Sequence, residues 1–130
     1  MSSPPRTKFR VLIVDDDADT RAMYAIALSN CQFEVLEADD GRTALAAASA
    51  FLPDVIVTDL SGPRLDGFEL LEWLRAEPRT AQIRTVVLTG WTDPKSRAHA
   101  AALDAEFVVK PCLPDKLVFH VYCALASVAA

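Results

Sequence analysis

The stretch Val11-Leu12-Ile13-Val14-Asp15-Asp16-Asp17-Ala18-Asp19 decides how the rest of the chain is read. Its four apolar residues are too few for a helix. Their unbroken apolarity, rather than alternation, indicates a strand buried on both faces, as in a parallel sheet. Similar runs recur at Val55-Ile56-Val57, Val86-Val87-Leu88 and Phe107-Val108-Val109. A fifth run, Gln32-Phe33-Glu34-Val35-Leu36-Glu37, is more polar and alternates, so it is predicted as an edge strand. Four aspartates crowd the five positions after Val14, and that crowding needs an explanation of its own.

Helix-forming stretches separate these runs. Thr20 to Ser29 places Met23, Ala27 and Leu28 on one face, and Arg42 to Phe51 follows Gly41 with a run of alanines. Phe68 to Ala76 carries Leu70, Leu71 and Leu74 at helical spacing. Asp93-Pro94 reads as an N-cap followed by proline in the first turn, opening a helix to about Leu103. Pro114-Asp115 opens the last helix, with an apolar stripe of Val118, Val121, Tyr122, Leu125 and Val128. A strand and a helix repeated five times imply right-handed crossovers and a three-layer α/β sandwich. The 130 residues suit one core, divided as a flexible N-terminal segment over 1–7 and a single domain over 8–130.

Composition removes several function classes. With 52% apolar and 24% charged residues the chain is globular, and a net charge of −5 argues against general affinity for nucleic acid or anionic membranes. No apolar stretch approaches the roughly 20 residues of a membrane span, and the polar start lacks the apolar core of a secretory signal. Cys31, Cys112 and Cys123 are odd in number and show no metal-binding spacing, so reduced thiols and a cytoplasmic location are expected.

The polar residues then fall in one pattern. Asp15 and Asp16 follow the first strand, Asp59 the third, Thr89 the fourth and Lys110 the fifth. In an open parallel sheet, ligands bind outside the carboxyl ends of the strands, so these side chains are expected to meet there. Three carboxylates at close range stay ionised only beside a cation, and an all-oxygen set suits Mg²⁺, with Mn²⁺ as a substitute. A lysine and a hydroxyl facing that ion supply what a transferring phosphoryl group needs.

These residues are similar to the receiver domain of two-component response regulators, which includes the single-domain chemotaxis regulators. The resemblance spans residues 8 to 128. It is carried by Val14-Asp15-Asp16 with Arg21, by Val57-Thr58-Asp59 with Pro63 and Asp66-Gly67, by Leu88-Thr89-Gly90, and by Phe107-Val108-Val109-Lys110-Pro111. It implies a flavodoxin-like fold, a five-stranded parallel sheet in the order 2-1-3-4-5 flanked by five helices. It also implies that Asp59 is the phosphoacceptor and takes its phosphoryl group from a phosphohistidine. Asp16 would bind Mg²⁺ directly, Asp15 through water, and Ser61 through its backbone carbonyl. Lys110 would pair with Asp59, while Thr89 and Phe107 would act as the switch pair and the Lys110-Pro111 bond would be cis.

The implied partners are a histidine kinase or histidine phosphotransferase, and a downstream protein target or a second copy bound through the last two helices. Kinase docking would use the helix from Thr20 and the Cys112-Leu113-Pro114 loop. Neither direct nucleic-acid binding nor membrane insertion is implied. The domain would not be a turnover enzyme, although it would catalyse its own aspartyl phosphorylation and dephosphorylation.

Other residues take plainer readings. Asp17 or Asp19 caps the helix from Thr20 or faces its positive end. His99 and His120 lack acidic or cysteine partners at ligand spacing and are expected at the surface. Phe119 and Cys123 lie off the stripe of the last helix, giving it a second apolar face. Gly62, Cys112 and the Leu103-Asp104-Ala105-Glu106 segment depart from the family pattern. So does Trp91, two residues beyond Thr89, whose indole would either shield the phosphoryl group or pack on the helix from Asp93 away from the pocket. Two rival functions remain: a small haloacid-dehalogenase-type phosphatase using Asp15 and Asp17, and a pseudo-receiver that binds proteins without phosphorylation.

Overall fold

Burial identifies the centre of the sheet. In β1 (Arg10–Val14) and β4 (Arg84–Thr89) every residue after the first is buried, and in β3 (Val55–Asp59) all are. By contrast, β2 (Glu34–Ala38) buries only Ala38 and β5 (Ala105–Val109) only Val108, as edge strands do. The computed structural model describes residues 8–59, 67–90 and 93–126. Expectations that fall on the 1–7 segment and on Ser61, Gly62, Pro63, Asp66, Trp91 and Val128 lie outside them. All pairings are parallel and the order is β2-β1-β3-β4-β5, the flavodoxin-like arrangement expected from the resemblance.

Five helices cover the two faces: α1 (Ala18–Asn30), α2 (Gly41–Phe51), α3 (Gly67–Ala76), α4 (Pro94–Ala102) and α5 (Pro114–Ala126). Alternate strand residues feed two cores. Val11, Ile13, Val55, Val57, Val86, Leu88 and Val108 pack under α1 and α5. Leu12, Val14, Ile56 and Val87 pack under α2 and α3. The runs of β1, β3 and β4 therefore show no alternation because both faces of those strands are dry. Phe107-Val108-Val109, expected to be buried on both faces, instead lies in the edge strand β5, where only Val108 is buried.

Local chemistry sets the ends of the elements, and here some expectations shift. Asp17 holds an extended backbone and accepts from Thr20 N at 3.3 Å, so α1 begins at Ala18, two residues earlier than expected. The buried face of α1 is Tyr24, Ala25 and Leu28, whereas Met23 is exposed. The second strand runs over Glu34–Ala38 rather than Gln32–Glu37. Gln32 is left-handed at φ 70°, and Phe33 N donates to Leu28 O, closing α1 and driving the Phe33 ring into the core. On α5 the buried stripe is Leu117, Val118, Val121 and Ala124, while Tyr122 is half exposed. Phe119 is 61% exposed, giving the second apolar face expected of this helix.

Candidate functional site at the carboxyl edge of the sheet

Strand parity aims the pocket residues. Asp59 shares a face with Val55 and Val57, Asp15 with Val11 and Ile13, and Lys110 with Val108, all on the α1/α5 side. Asp15 N donates to Ala38 O at 3.1 Å, extending the sheet by one residue so that its side chain emerges at the edge. Lys110 N donates to Thr89 O at 2.8 Å and anchors the chain leaving β5. The Lys110 ammonium then donates to Oδ2 of Asp59, 51 residues away in sequence. The Lys110-Pro111 bond is cis.

The electrostatics are unbalanced. Asp15 and Asp59 are almost wholly buried, and Asp16 is half exposed. Burial pushes the Asp15 carboxyl above the usual range, and the charges of Asp59 and Asp16 push it further. Lys110 and the Asp17 N–H, which donates to Asp15 Oδ1 at 2.9 Å, act in the opposite direction. One lysine against three carboxylates leaves two negative charges for a divalent ion to neutralise. Among the described residues no three carboxylate, imidazole or thiol groups stand close enough to enclose an ion unaided. An ion held there would keep water and take one or two carboxylates, which is the habit of Mg²⁺. The donor set fits that ion.

The two residues expected to form a switch pair leave on the other face. Thr89 and Phe107 share the side of Val87, toward α4, and Thr89 is fully buried. Phe107 is half buried, with the Arg97 guanidinium 4.8 Å from its ring centroid. Lys110 and Asp59 thus meet directly, the Asp15 carboxyl lies close enough to feel the charge of both, Thr89 joins them through its backbone, and Phe107 stands apart. Asp17 does not enter the pocket, because its carboxylate is engaged by Thr20 at the start of α1.

Two residues brace this edge. Arg21 donates to Asp15 O at 2.7 Å and to Glu37 at 3.1 Å, which fixes the β1–α1 connection against β2. Tyr24 was not singled out by the sequence, yet its hydroxyl donates to Cys112 O at 2.7 Å in a buried setting. It thereby ties α1 to the loop after Lys110. Burial, and then the nearby Cys112, Asp15 and Asp59, push its hydroxyl up to about 12. No periodicity distinguishes a buried tyrosine with a partner from any other apolar position.

The histidines do have acidic partners, supplied from distant elements that sequence spacing does not reveal. His99 Nε2 lies 2.9 Å from Glu72 on α3, and its ring stacks on Phe68 at 4.2 Å. His120 Nδ1 lies 3.1 Å from Glu106 on β5. Asp104 accommodates the altered α4–β5 connection in a left-handed conformation at φ 55°, one that glycine adopts more easily.

Comparisons with known proteins agree with this geometry. Residues 11–122 match the family model described as the response regulator receiver domain. A probable transcriptional regulator, ycf27 of Galdieria sulphuraria, is 34% identical over 95% of this chain and 48% of its own length. The response regulator PleD of Caulobacter vibrioides is 37% identical over 85% of this chain and 24% of its own. The chain thus spans half or less of these curated relatives. The solved structure of the chemotaxis response regulator CheY4 of Vibrio cholerae superposes with a TM-score of 0.84, at 33% identity. It covers 92% of this chain and 100% of that one.

Proposed function

This chain belongs to the receiver-domain family of two-component response regulators, and from that premise we propose that Asp59 accepts a phosphoryl group from the phosphohistidine of a histidine kinase or phosphotransferase. Receiver domains interact with histidine kinases and with downstream effectors, and they are not conventional enzymes. No described helix is long and apolar enough to cross a membrane.

The observation that carries the reading is the Lys110 ammonium on Asp59 Oδ2 beside the buried carboxylate of Asp15. A carboxylate oxygen of Asp59 forms the new O–P bond while the P–N bond to the donor imidazole breaks, its electron pair returning to the ring nitrogen. Lys110 compensates charge on the phosphoryl oxygens. Mg²⁺, held by Asp16, by Asp15 through water, by Asp59 and by the Ser61 carbonyl, would supply the remaining charge neutralisation. The Thr89 hydroxyl then turns to a phosphoryl oxygen, and Phe107 moves into the space behind it. Hydrolysis of the acyl phosphate resets the domain.

Intact-mass measurement after Mg²⁺ and acetyl phosphate tests this. One phosphate adduct is expected on the wild-type chain and none on Asp59→Asn. An adduct on both, or on neither, refutes the assignment. The phosphatase alternative needs Asp17 as a general acid, a role at odds with its capping of α1. The pseudo-receiver alternative predicts no adduct at all.

A further inference from the structure

α4 is attached to the body differently from its neighbours. Its sequence, Pro94-Lys95-Ser96-Arg97-Ala98-His99-Ala100-Ala101-Ala102, contains no apolar side chain larger than proline, and Ala100 is its one buried residue. A nine-residue helix with so little apolar burial is weakly held by packing. Two side-chain contacts compensate. His99 reaches back to Phe68 and Glu72 of α3, and Arg97 lies over the ring of Phe107 on β5.

The second contact falls on the aromatic residue of the switch. Phe107 belongs to neither core, although its register partner Val87 and its chain neighbour Val108 do. Arg97 makes no ion pair among the described residues, so its guanidinium is oriented by the ring. A cation over an aromatic face is an attraction present only while that face is turned outward.

We propose that Arg97 is a positioning residue that holds the Phe107 ring in its half-exposed orientation and so sets how readily the domain reaches the phosphorylated arrangement. The inference rests on the phosphoacceptor reading above, in which Phe107 turns inward. A contact made in one of two states biases their equilibrium by its whole free energy, and a partly exposed cation–π contact corresponds to about a two- to fivefold change in population.

The test follows Phe107 directly. Wild-type, Arg97→Ala and Arg97→Lys proteins are labelled with ¹³C-phenylalanine, the Phe107 signal is assigned with Phe107→Leu, and each is titrated with beryllofluoride and Mg²⁺. In Arg97→Ala without ligand, the Phe107 signal should already lie part-way toward its beryllofluoride-saturated position. Apparent beryllofluoride affinity should rise about two- to fivefold, with Arg97→Lys in between because an ammonium stacks less well. A purely structural loss would broaden or unfold the spectrum rather than move one ring along that line. An unmoved Phe107 signal, or an unchanged affinity in Arg97→Ala, overturns this proposal while leaving the phosphoacceptor reading intact. A wild-type protein that fails to bind beryllofluoride, or that binds equally after Asp59→Asn, overturns both.

Discussion

Replacing Tyr24 with Phe isolates one hydrogen bond. The ring is 4% exposed and packs in the α1/α5 core, so phenylalanine keeps the apolar burial and removes only the hydroxyl that donates to Cys112 O at 2.7 Å. The net loss of a hydrogen bond is about 0.5–1.5 kcal/mol, and a buried carbonyl left without its donor adds about 1–3 kcal/mol. The two overlap, so Tyr24→Phe is expected to cost about 1–3 kcal/mol at pH 7. For a chain of this size that is a fall in melting temperature of roughly 3–5 °C per kcal/mol.

The same hydroxyl predicts a signature at alkaline pH. It titrates at about 12 in the folded protein, against about 10 in an unfolded chain. Between those values the unfolded chain has released its proton and the folded one has not. The folded state therefore binds more protons, and stability falls as pH rises, by at most about 1.4 kcal/mol per pH unit. Tyr24→Phe lacks this component. Its deficit relative to wild type should narrow by about 1–2 kcal/mol between pH 10 and 12. Urea unfolding followed by circular dichroism at about pH 7, 10 and 11.5 measures both effects. A deficit below about 0.5 kcal/mol at pH 7, or one that stays constant from about pH 10 to 11.5, refutes the argument.

Three further outcomes follow from the same geometry. Thr58 Oγ1 is buried with no partner among the described residues, so Thr58→Val should stabilise the unphosphorylated protein by about 1–2 kcal/mol in urea unfolding; destabilisation would show that the hydroxyl is satisfied. Because the Asp15 carboxyl is pushed up, mainly by burial, the metal-free folded state takes up that proton before the unfolded chain does. Its stability should rise as pH falls from that raised value toward about 4, below which the gain is complete. Asp15→Asn should remove that slope, stabilise the metal-free protein at pH 7 and reduce the stabilisation conferred by Mg²⁺, whereas an unaltered slope would contradict the charge argument. Arg75 donates to Leu103 O, Ala81 O, Ile83 O and Thr85 Oγ1, so Arg75→Met should cost about 2–4 kcal/mol while leaving the Asp59 adduct intact; a cost below about 0.5 kcal/mol would show the bonds to be incidental.

The sequence carried the architecture because that information is local. A strand buried on both faces reads as an unbroken apolar run, and Asp93-Pro94 and Pro114-Asp115 announce their helices within two residues. The polar strand ends were legible for the same reason, since one topological rule places them together. Pairwise chemistry between distant elements was not. His99 with Glu72, His120 with Glu106, and Tyr24 with the Cys112 carbonyl join residues 27, 14 and 88 positions apart, and no periodicity records such pairs. The faces of α1 and α5 were misplaced at their margins for a related reason. Hydrophobicity alone draws Met23 and Tyr122 into the core, yet both stay at the surface. The amphipathic Tyr24 takes the inward position on α1 because a buried carbonyl receives its hydroxyl, and Tyr122 settles at the rim against the Phe33 ring.

The two ends of the sheet are built for different purposes. At the amino ends of the strands, Arg10 N donates to Asp54 at 2.8 Å, its guanidinium bonds Phe51 O and Glu34, and its charge lies over the Phe51 ring. Arg75 binds three carbonyls and a hydroxyl nearby, and the Thr80 hydroxyl donates to Leu74 O at 2.8 Å. That end is densely bonded, although Glu106 Oε2 near the start of β5 is buried with no partner among the described residues. At the carboxyl ends stand a buried carboxyl pushed toward protonation, an orphaned Thr58 hydroxyl and a helix with one buried alanine. The first two are unfavourable in the resting chain and the third is weakly packed; on the reading proposed above, a cation would relieve the first. A domain stapled at one end and unbalanced at the other confines its response to the unbalanced end. On the phosphoacceptor reading proposed above, chemistry at Asp59 is expected to move α4 and Phe107 while the strand register and both cores stay as they are.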